Sequence, residues 1–367
     1  MVPALIKESQ MSSVEFQGVS KKFGGTVAVE KTDIAIEQGE FFSMLGPSGC
    51  GKSTTLRMLA GFIAPTTGRI LVNGRDITDL PPEARGIGIV FQNYAIFPHM
   101  NVFDNIAFGL VERKQDKATI KRKVEATLAQ VGLTGYEGRF ERELSGGQKQ
   151  RVALARVLVI EPEILLLDEP LSALDKQMRE EMKFWIKDIQ KSIGITTVYV
   201  THDQSEALTM SDRIAVMNEG RMLQIGSPVD IYEKPSSRFI AEFIGDSNLL
   251  RASVTELTDT GCVVDLGEGV AVPARVSDAV SVAPGEPVGL LLRPEMVRLM
   301  PAHDGEKPRL SGKIVDEVYQ GALRRYRVAA GTHELVVEVP NRPELVRMAA
   351  GTPVDLFWSA ESGVAVP

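Results

Sequence analysis

The spacing of apolar residues changes character about two thirds of the way along this chain. In the first part, short apolar runs alternate with longer stretches whose apolar residues recur at helical spacing. Residues 41–45, 86–91, 164–167 and 196–200 are nearly continuous apolar or β-branched runs, the pattern of parallel strands covered on both faces. Residues 14–19 and 32–36 alternate apolar with polar, as half-exposed strands do, and 69–72 is a short strand closed by the Asn73-Gly74 turn. Helices are expected over 54–60, 116–131, 149–158 and 176–192, and a hairpin over 214–225 around Asn218-Glu219-Gly220. From about Gly245 the helical period fades. Short Val-rich runs punctuated by Gly and Pro take over to the C-terminus, which points to small β-barrels. The expected architecture is an α/β domain followed by an all-β domain.

Composition adds constraints. The 367 residues suffice for two or three domains, and 44% hydrophobic with 24% charged residues is ordinary for a globular chain. A net charge of −7 without a basic stripe argues against a nucleic-acid partner. The two cysteines, Cys50 and Cys262, lie far apart, which indicates no disulfide framework and fits a reducing compartment; neither has metal-ligand spacing with the four histidines. No apolar run approaches the roughly 18 residues of a transmembrane helix. Residues 1–13 read as a flexible extension, too short and polar for a signal-peptide core, with Met11 an alternative start. Work at a membrane would require docking on something already embedded there.

The chemistry concentrates in Gly46-Pro47-Ser48-Gly49-Cys50-Gly51-Lys52-Ser53, which fits the phosphate-loop pattern and sits between an apolar strand and the helix opened by Thr54. Glycines let successive N–H groups turn inward as an anion nest, and the helix start adds unpaired N–H groups and a positive dipole end. Lys52 supplies a point charge for β/γ-phosphates, and the Ser53 hydroxyl can ligate Mg²⁺. Asp168 and Glu169 end one buried strand, His202 another and Gln92 a third, at the edge where doubly wound sheets bind ligands. Each has a plainer reading: the two acids as a solvated helix cap before Pro170, and His202 as a structural histidine.

These segments, with Leu144-Ser145-Gly146-Gly147-Gln148 and Ser172-Ala173-Leu174-Asp175, stand in the order found in ATP-binding cassette (ABC) ATPases, which the chain resembles over residues 14–245. The resemblance implies a P-loop NTPase domain with a helical subdomain at about 93–160, binding ATP and Mg²⁺. It implies that Phe23 stacks on adenine where the family usually has Tyr, although a core or turn aromatic is the plainer reading. Asp168, Ser53 and Gln92 would surround the metal, Glu169 would be the general base, and His202 would reach the γ-phosphate. Ser145, Gly146, Gly147, Gln148 and Asp175 would contact ATP held by the phosphate loop of a second copy, so a two-fold homodimer is expected. Residues 246–367, with Leu291-Leu292-Arg293-Pro294-Glu295, resemble the paired oligonucleotide-binding-type (TOBE-like) barrels appended to importer ATPases. Their expected role is dimerisation and regulation; oligonucleotide or oligosaccharide binding is the alternative.

The aromatic-rich residues 93–110 read either as the core of the helical subdomain or as a groove receiving a short helix from one of two transmembrane permease subunits. The expected function is then import driven by ATP, at the cytoplasmic face of a bacterial plasma membrane, with a solute-binding protein acting through the complex. Residues 243–250 look most similar to polyamine-importer ATPases, so spermidine and putrescine rank first; importers of ferric iron, sulfate and sugars are close alternatives. DNA-repair cassettes separate phosphate loop and signature by a long coiled coil, whereas Lys52 and Ser145 lie only 93 positions apart here. A soluble regulatory cassette protein is the alternative of a different class, and intact Glu169 and His202 speak against it.

Overall fold

The computed structural model describes residues 12–259, 261–267, 269–276, 281–301, 303–342 and 347–367. The expected N-terminal extension lies outside them except for Ser12 and Ser13, which already belong to the first strand. The chain divides into two compact units, one ending at Pro228 and the other running over Val229–Pro367.

The first unit begins with β1 (Ser12–Phe23), β2 (Thr26–Glu37) and β3 (Phe41–Leu45), then α1 (Lys52–Ala60), β4 (Thr67–Val72), β5 (Arg75–Asp76) and β6 (Ile87–Val90). Three helices follow, α2 (Val102–Glu112), α3 (Lys117–Gln130) and α4 (Gly146–Leu158). It ends with β7 (Ile164–Asp168), α5 (Lys176–Ile193), β8 (Thr196–Thr201), α6 (Gln204–Met210), β9 (Arg213–Asn218) and β10 (Arg221–Gly226). The strands form an antiparallel sheet, β2-β1-β4-β5, and a six-stranded sheet, β10-β9-β3-β8-β7-β6, parallel except for the β10 edge.

Both faces of the parallel sheet are covered, which is why its strands read as unbroken apolar runs. Phe42, Met44, Leu166, Val198 and Val200 face one core, shared with α1 and the antiparallel sheet. Their neighbours Phe41, Leu165, Leu167 and Tyr199 face the opposite core, against α4 and α5. Helices α2, α3 and α4 enclose a core of their own around Ile106, Leu110, Val124, Leu128 and Val152. The helical subdomain is therefore present, but residues 93–100 are not helical. Tyr94 and Ala95 are consecutive non-glycine residues with positive φ (56° and 50°).

Strand β1 runs past the expected residues 14–19 to Phe23, through register shifts that include a positive-φ Gly18. Those bulges break the two-residue alternation that the sequence reading relied on. The signature helix also begins earlier than residue 149, because Ser145 caps it and Gly146 to Gln148 form its first turn.

The second unit opens with α7 (Pro228–Glu233) and α8 (Arg238–Phe243), followed by β11 (Asn248–Thr258), β12 (Gly261–Asp265), β13 (Ala271–Val276) and β14 (Pro287–Leu292). Then come β15 (Leu310–Tyr319), β16 (Leu323–Ala330), β17 (His333–Pro340), β18 (Pro353–Leu356) and β19 (Val364–Val366). The expected pair of barrels resolves into one closed barrel, β11-β12-β13-β19-β14, and one open four-stranded sheet, β17-β16-β15-β18, sharing a single core. The last strand returns to close the barrel, pairing with β13 and β14.

The boundary anticipated at residue 245 lies earlier, because α8 belongs to the β-rich unit. Ala241 packs with Leu291, Val364 and Val366, and the buried Arg293 guanidinium donates to the Ala241, Ile244 and Asp246 carbonyls. A buried arginine at a helix C-terminus satisfies carbonyls that would otherwise be orphaned.

A nucleotide-binding edge

The phosphate loop leaves the fully buried β3 and enters α1. Gly49 and Gly51 have φ of 81° and 104°, which a side chain disfavours. Gly46 is constrained differently: a Cβ there would sit well inside van der Waals contact distance of the Met217 carbonyl oxygen, and one at Gly51 would lie 2.6 Å from the Ala28 oxygen. Ser48 and Gly49 are exposed, Pro47 is half-buried and Cys50 is buried. Lys52 is buried, and its ammonium donates to the carbonyls of Gly46 (2.7 Å) and Pro47 (2.9 Å), so its charge is held over the loop. Thr54 occupies the first turn of α1, half-buried.

Ser53 Oγ, also on that turn, donates to Asp168 Oδ1 at 3.4 Å. Burial, and secondarily the charge of Glu169, raises the Asp168 carboxyl above the ordinary aspartate range. Glu169 is the next residue, yet it turns away because its φ is 46°. Three contacts hold that bend: Glu169 N–H donates to the Val200 carbonyl (3.0 Å), and Ser172 N–H (3.3 Å) and Oγ (2.9 Å) donate to the Glu169 carbonyl. The Glu169 carboxylate then meets His202, with Oε2 and Nδ1 3.1 Å apart. The four residues Ser53, Asp168, Glu169 and His202, drawn from α1, β7 and the turns after β7 and β8, thus meet at one sheet edge.

The other candidates are more dispersed. Gln92 follows β6, whose Val90 lies in register with Leu167 of β7, so it leaves the sheet at the same end as the two acids. Its side chain is exposed and forms no hydrogen bond to Ser53 or Asp168 among the described residues. Phe23 ends β1 half exposed, with the Lys21 ammonium 4.9 Å from its ring centroid, so the core reading of this aromatic is wrong. Ser145 and Gln148 form a capping box: Ser145 Oγ accepts from Gln148 N–H (3.3 Å), and Gln148 Oε1 accepts from Ser145 N–H (2.9 Å). Asp175 caps α5 by accepting from Met178 N–H at 2.9 Å. No hydrogen bond joins residues 145–148 or Asp175 to the phosphate loop among the described residues.

Comparison with known proteins gives this edge its context. The ABC transporter family profile matches residues 29–172, and the TOBE domain profile matches residues 290–366. The spermidine/putrescine import ATP-binding protein PotA of Acidothermus cellulolyticus is 50% identical over 350 residues, covering 94% of this chain and 90% of the relative. The chain belongs to the ATP-binding subunits of ABC transporters. A protein of the same name from Rubrobacter xylanophilus is 45% identical, with 96% of this chain and 93% of the relative covered. Among solved structures, cbiO1 from Clostridium perfringens, part of the ABC transporter complex cbiONQ, is 33% identical with a TM-score of 0.57, over 60% of this chain and 90% of that one. The chain is accordingly an ATP-binding ATPase whose hydrolysis is coupled to transport.

In this ABC subunit one group of residues escaped the sequence reading. Glu206 is almost fully buried, and its Oε2 accepts from Tyr199 OH (2.7 Å) and Thr201 Oγ1 (2.5 Å). Asp203 caps the same helix by accepting from Glu206 N–H (3.2 Å), and Arg179 reaches Asp203 Oδ2 (3.3 Å). Together they brace the turn that carries His202. The Asp203-x-x-Glu206 spacing, an N-cap signal, was the available clue.

Two outcomes follow. Gly46→Ala is expected to lose nucleotide binding and lower the melting temperature, because the new methyl meets rigid backbone. Gly49→Ala, with open space around it, is expected to cost only about 1–2 kcal/mol for its left-handed conformation. Calorimetric titration with ATP and thermal unfolding of both variants check this; equal behaviour would mean that the Met217 approach is not tight.

The second outcome concerns Glu206, whose carboxyl is raised above 4.5 chiefly by burial. A raised carboxyl binds its proton more tightly folded than unfolded. Its contribution is full below the ordinary glutamate value and declines as pH rises through the raised one. Glu206→Gln should therefore gain stability relative to the parent as pH rises from about 4.5, in denaturant titrations at stepped pH. A difference independent of pH would contradict it.

Proposed function

We propose that this chain drives polyamine import, hydrolysing Mg-ATP between two copies of itself beneath a pair of permease subunits. The observation that carries the catalytic part is the contact of Glu169 with His202 beside the Ser53–Asp168 pair. Lys52 and the loop N–H groups would bind the β/γ-phosphates, and Phe23 would stack on the adenine. Glu169 would orient and deprotonate the attacking water, while His202 holds that carboxylate in position and donates toward the γ-phosphate.

The donors fit Mg²⁺. A hydroxyl and a carboxylate oxygen 3.4 Å apart are hard ligands, and a half-buried Asp168 pushed up by desolvation and by a second acid is relieved by a cation. Gln92, at the same sheet end, would complete the set with phosphate oxygens and water. Bound there, the ion would neutralise charge on the transferring phosphoryl group.

The signature supports the two-copy reading, since in each chain Ser145 and the α4 start make their hydrogen bonds away from that chain's phosphate loop. The permease reading rests on residues 93–110. A cavity of about 280 Å³ runs beside Tyr94, Phe108 and Arg156; the Arg156 guanidinium lies 4.2 Å from the Phe97 ring and donates to the Ala95 carbonyl. The exposed rings of Phe91, next to Gln92, and Phe108 give it an apolar wall. No helix among the described residues is long and apolar enough to cross a membrane, so attachment to the cytoplasmic face would come through the permeases. The polyamine assignment rests on relatives named as spermidine/putrescine import proteins.

Reconstitution with the cognate membrane subunits and binding protein tests all of this. Spermidine or putrescine is expected to stimulate ATP hydrolysis, while ferric iron, sulfate and maltodextrin leave it at the basal rate. Glu169→Gln should bind ATP normally and turn over about 10²–10⁴-fold more slowly. Stimulation by another solute with polyamines inert would overturn the substrate alone; near-normal turnover of the Gln variant would overturn the site.

A further inference from the structure

Helix α5 carries Arg179, Lys183 and Lys187 at successive four-residue steps, and all three turn to one neighbour, the stretch that runs from His202 through α6 to Asp212. Arg179 donates to Asp203 Oδ2 at 3.3 Å, the almost fully buried Lys183 donates to Ser205 Oγ at 2.9 Å, and Lys187 donates to Asp212 Oδ1 at 2.8 Å. The far end of that stretch depends least on α5, because Asp212 Oδ2 also accepts from Phe41 N–H (2.8 Å), which pins it to β3. At the near end, beside His202, the ties run to β8 through Glu206 and to α5 through Arg179.

Arg179 also faces the other way. Its second terminal nitrogen donates to the Leu174 carbonyl at 3.1 Å, within residues 172–175 that precede α5. Those residues and the first turn of α5 rest on the start of α4: Gly147 N–H donates to Met178 Sδ at 2.8 Å, and a Cβ on Gly146 would lie 3.0 Å from Leu174 Cδ2. One guanidinium thus spans two pieces of chain, the one expected to meet a second copy and the one that carries His202. Its third nitrogen, Nε, is buried without a hydrogen-bond acceptor and lies 4.0 Å from Glu206 Oε1. A shift of about 1 Å would turn that approach into a hydrogen bond. The gap is internal, between α5 and α6, and makes a joint that can tighten.

We propose that Arg179 is a positioning residue: it couples the seating of residues 172–175 against a second copy to the placement of His202 beside Glu169. The inference rests on the two-copy reaction proposed above and names the side chain through which one site feels its mate. A planar fork with three separate partners suits the task, since a lysine ammonium reaches Asp203 or the Leu174 carbonyl but does not hold both in fixed geometry. The guanidinium makes no hydrogen bond to the phosphate loop among the described residues, so its effect on hydrolysis passes through His202 and not through nucleotide binding. When residues 172–175 are pressed inward, the approach of Arg179 to Glu206 closes and the His202 turn is held; when they are free, that turn is released.

The test is a double-mutant cycle on Mg-ATP hydrolysis by the full chain reconstituted with its membrane subunits, at concentrations high enough to resolve slow variants. Arg179→Ala is expected to lower kcat about tenfold and leave KM within about twofold, with Arg179→Lys in between. In a His202→Ala background the same change is expected to cost nothing further, because the group it positions is gone. Lys187→Met removes the tie at the far end of the same helix and is expected to keep kcat within about twofold; a loss as large as that of Arg179→Ala would mean general loosening of α5 and overturn the proposal. If Arg179→Ala does not fold, the cycle is read with Arg179→Lys. Equal factors in both backgrounds, or normal kcat in the Arg179 variants beside a slow His202→Ala, overturn the coupling and leave the site standing. Normal turnover in His202→Ala overturns the site and this inference with it.

Discussion

The close approach of the phosphate loop to two neighbouring backbones is the constraint on which the rest of the first unit depends. Gly46 faces the Met217 carbonyl of β9 and Gly51 faces the Ala28 carbonyl of β2, so the loop lies where the parallel and antiparallel sheets meet. Gly220 N–H donates to the Cys50 carbonyl, and Glu30 N–H donates to the Gly220 carbonyl, which knits the same junction. A side chain at Gly46 would force the sheets apart or the loop outward. Because neither happens, the N–H groups of the loop and the Lys52 ammonium are delivered to a fixed point at the strand ends.

The second requirement is that adjacent residues at the end of β7 do different work. In a regular strand Asp168 and Glu169 would simply point to opposite faces. Here the chain bends at Glu169 into a left-handed conformation, which costs a non-glycine residue of order 1–2 kcal/mol. The Val200 and Ser172 hydrogen bonds offset that strain. The bend carries the Glu169 carboxylate to His202 while Asp168 stays beside Ser53. His202 is itself exposed and is kept in place from behind, by Asp203, Thr201 and the buried Glu206. In the proposed reaction the strain sits where water would be oriented, and its support comes from Val200, Ser172 and the turn behind His202.

Much of this was legible in the sequence because strands covered on both faces advertise themselves as unbroken apolar runs, and chemistry-bearing residues follow directly at their ends. Lys52, Asp168, Glu169 and His202 could be assigned to one edge on that ground. Features that depend on partners distant in sequence were not legible. Val364–Val366 reads as one more short run, and nothing local says that it closes a barrel between β13 and β14. The α8 helix looked like the tail of the nucleotide domain, since its tie to the β-rich unit comes from Arg293, some fifty residues later. Gly18 hid the length of β1, because a bulge erases the alternation used to find strands. The brace behind His202 was missed for a related reason: a glutamate on a short helix looks like surface until Tyr199 and Thr201 are seen to turn their hydroxyls onto it.

The distribution of charge at helix starts bears on why such a chain would act in pairs. Among its described residues the first unit has five helices of at least nine residues. Three carry an acid at the cap or in the first turn: Asp104 in α2, Asp116 before α3 and Asp175 before α5. Such acids neutralise the positive end of the helix dipole from within. Only α1 and α4 lack one, their caps being Gly51 and Ser145. Those two starts belong to the phosphate loop and to the Ser145 signature segment. The α1 start would face the loop's own nucleotide. The α4 start makes no hydrogen bond to that loop, which leaves it free for the proposed contact with nucleotide held by another copy. In the proposed arrangement nucleotide would join two chains because each contributes a helix end whose dipole its own fold does not neutralise with an acid.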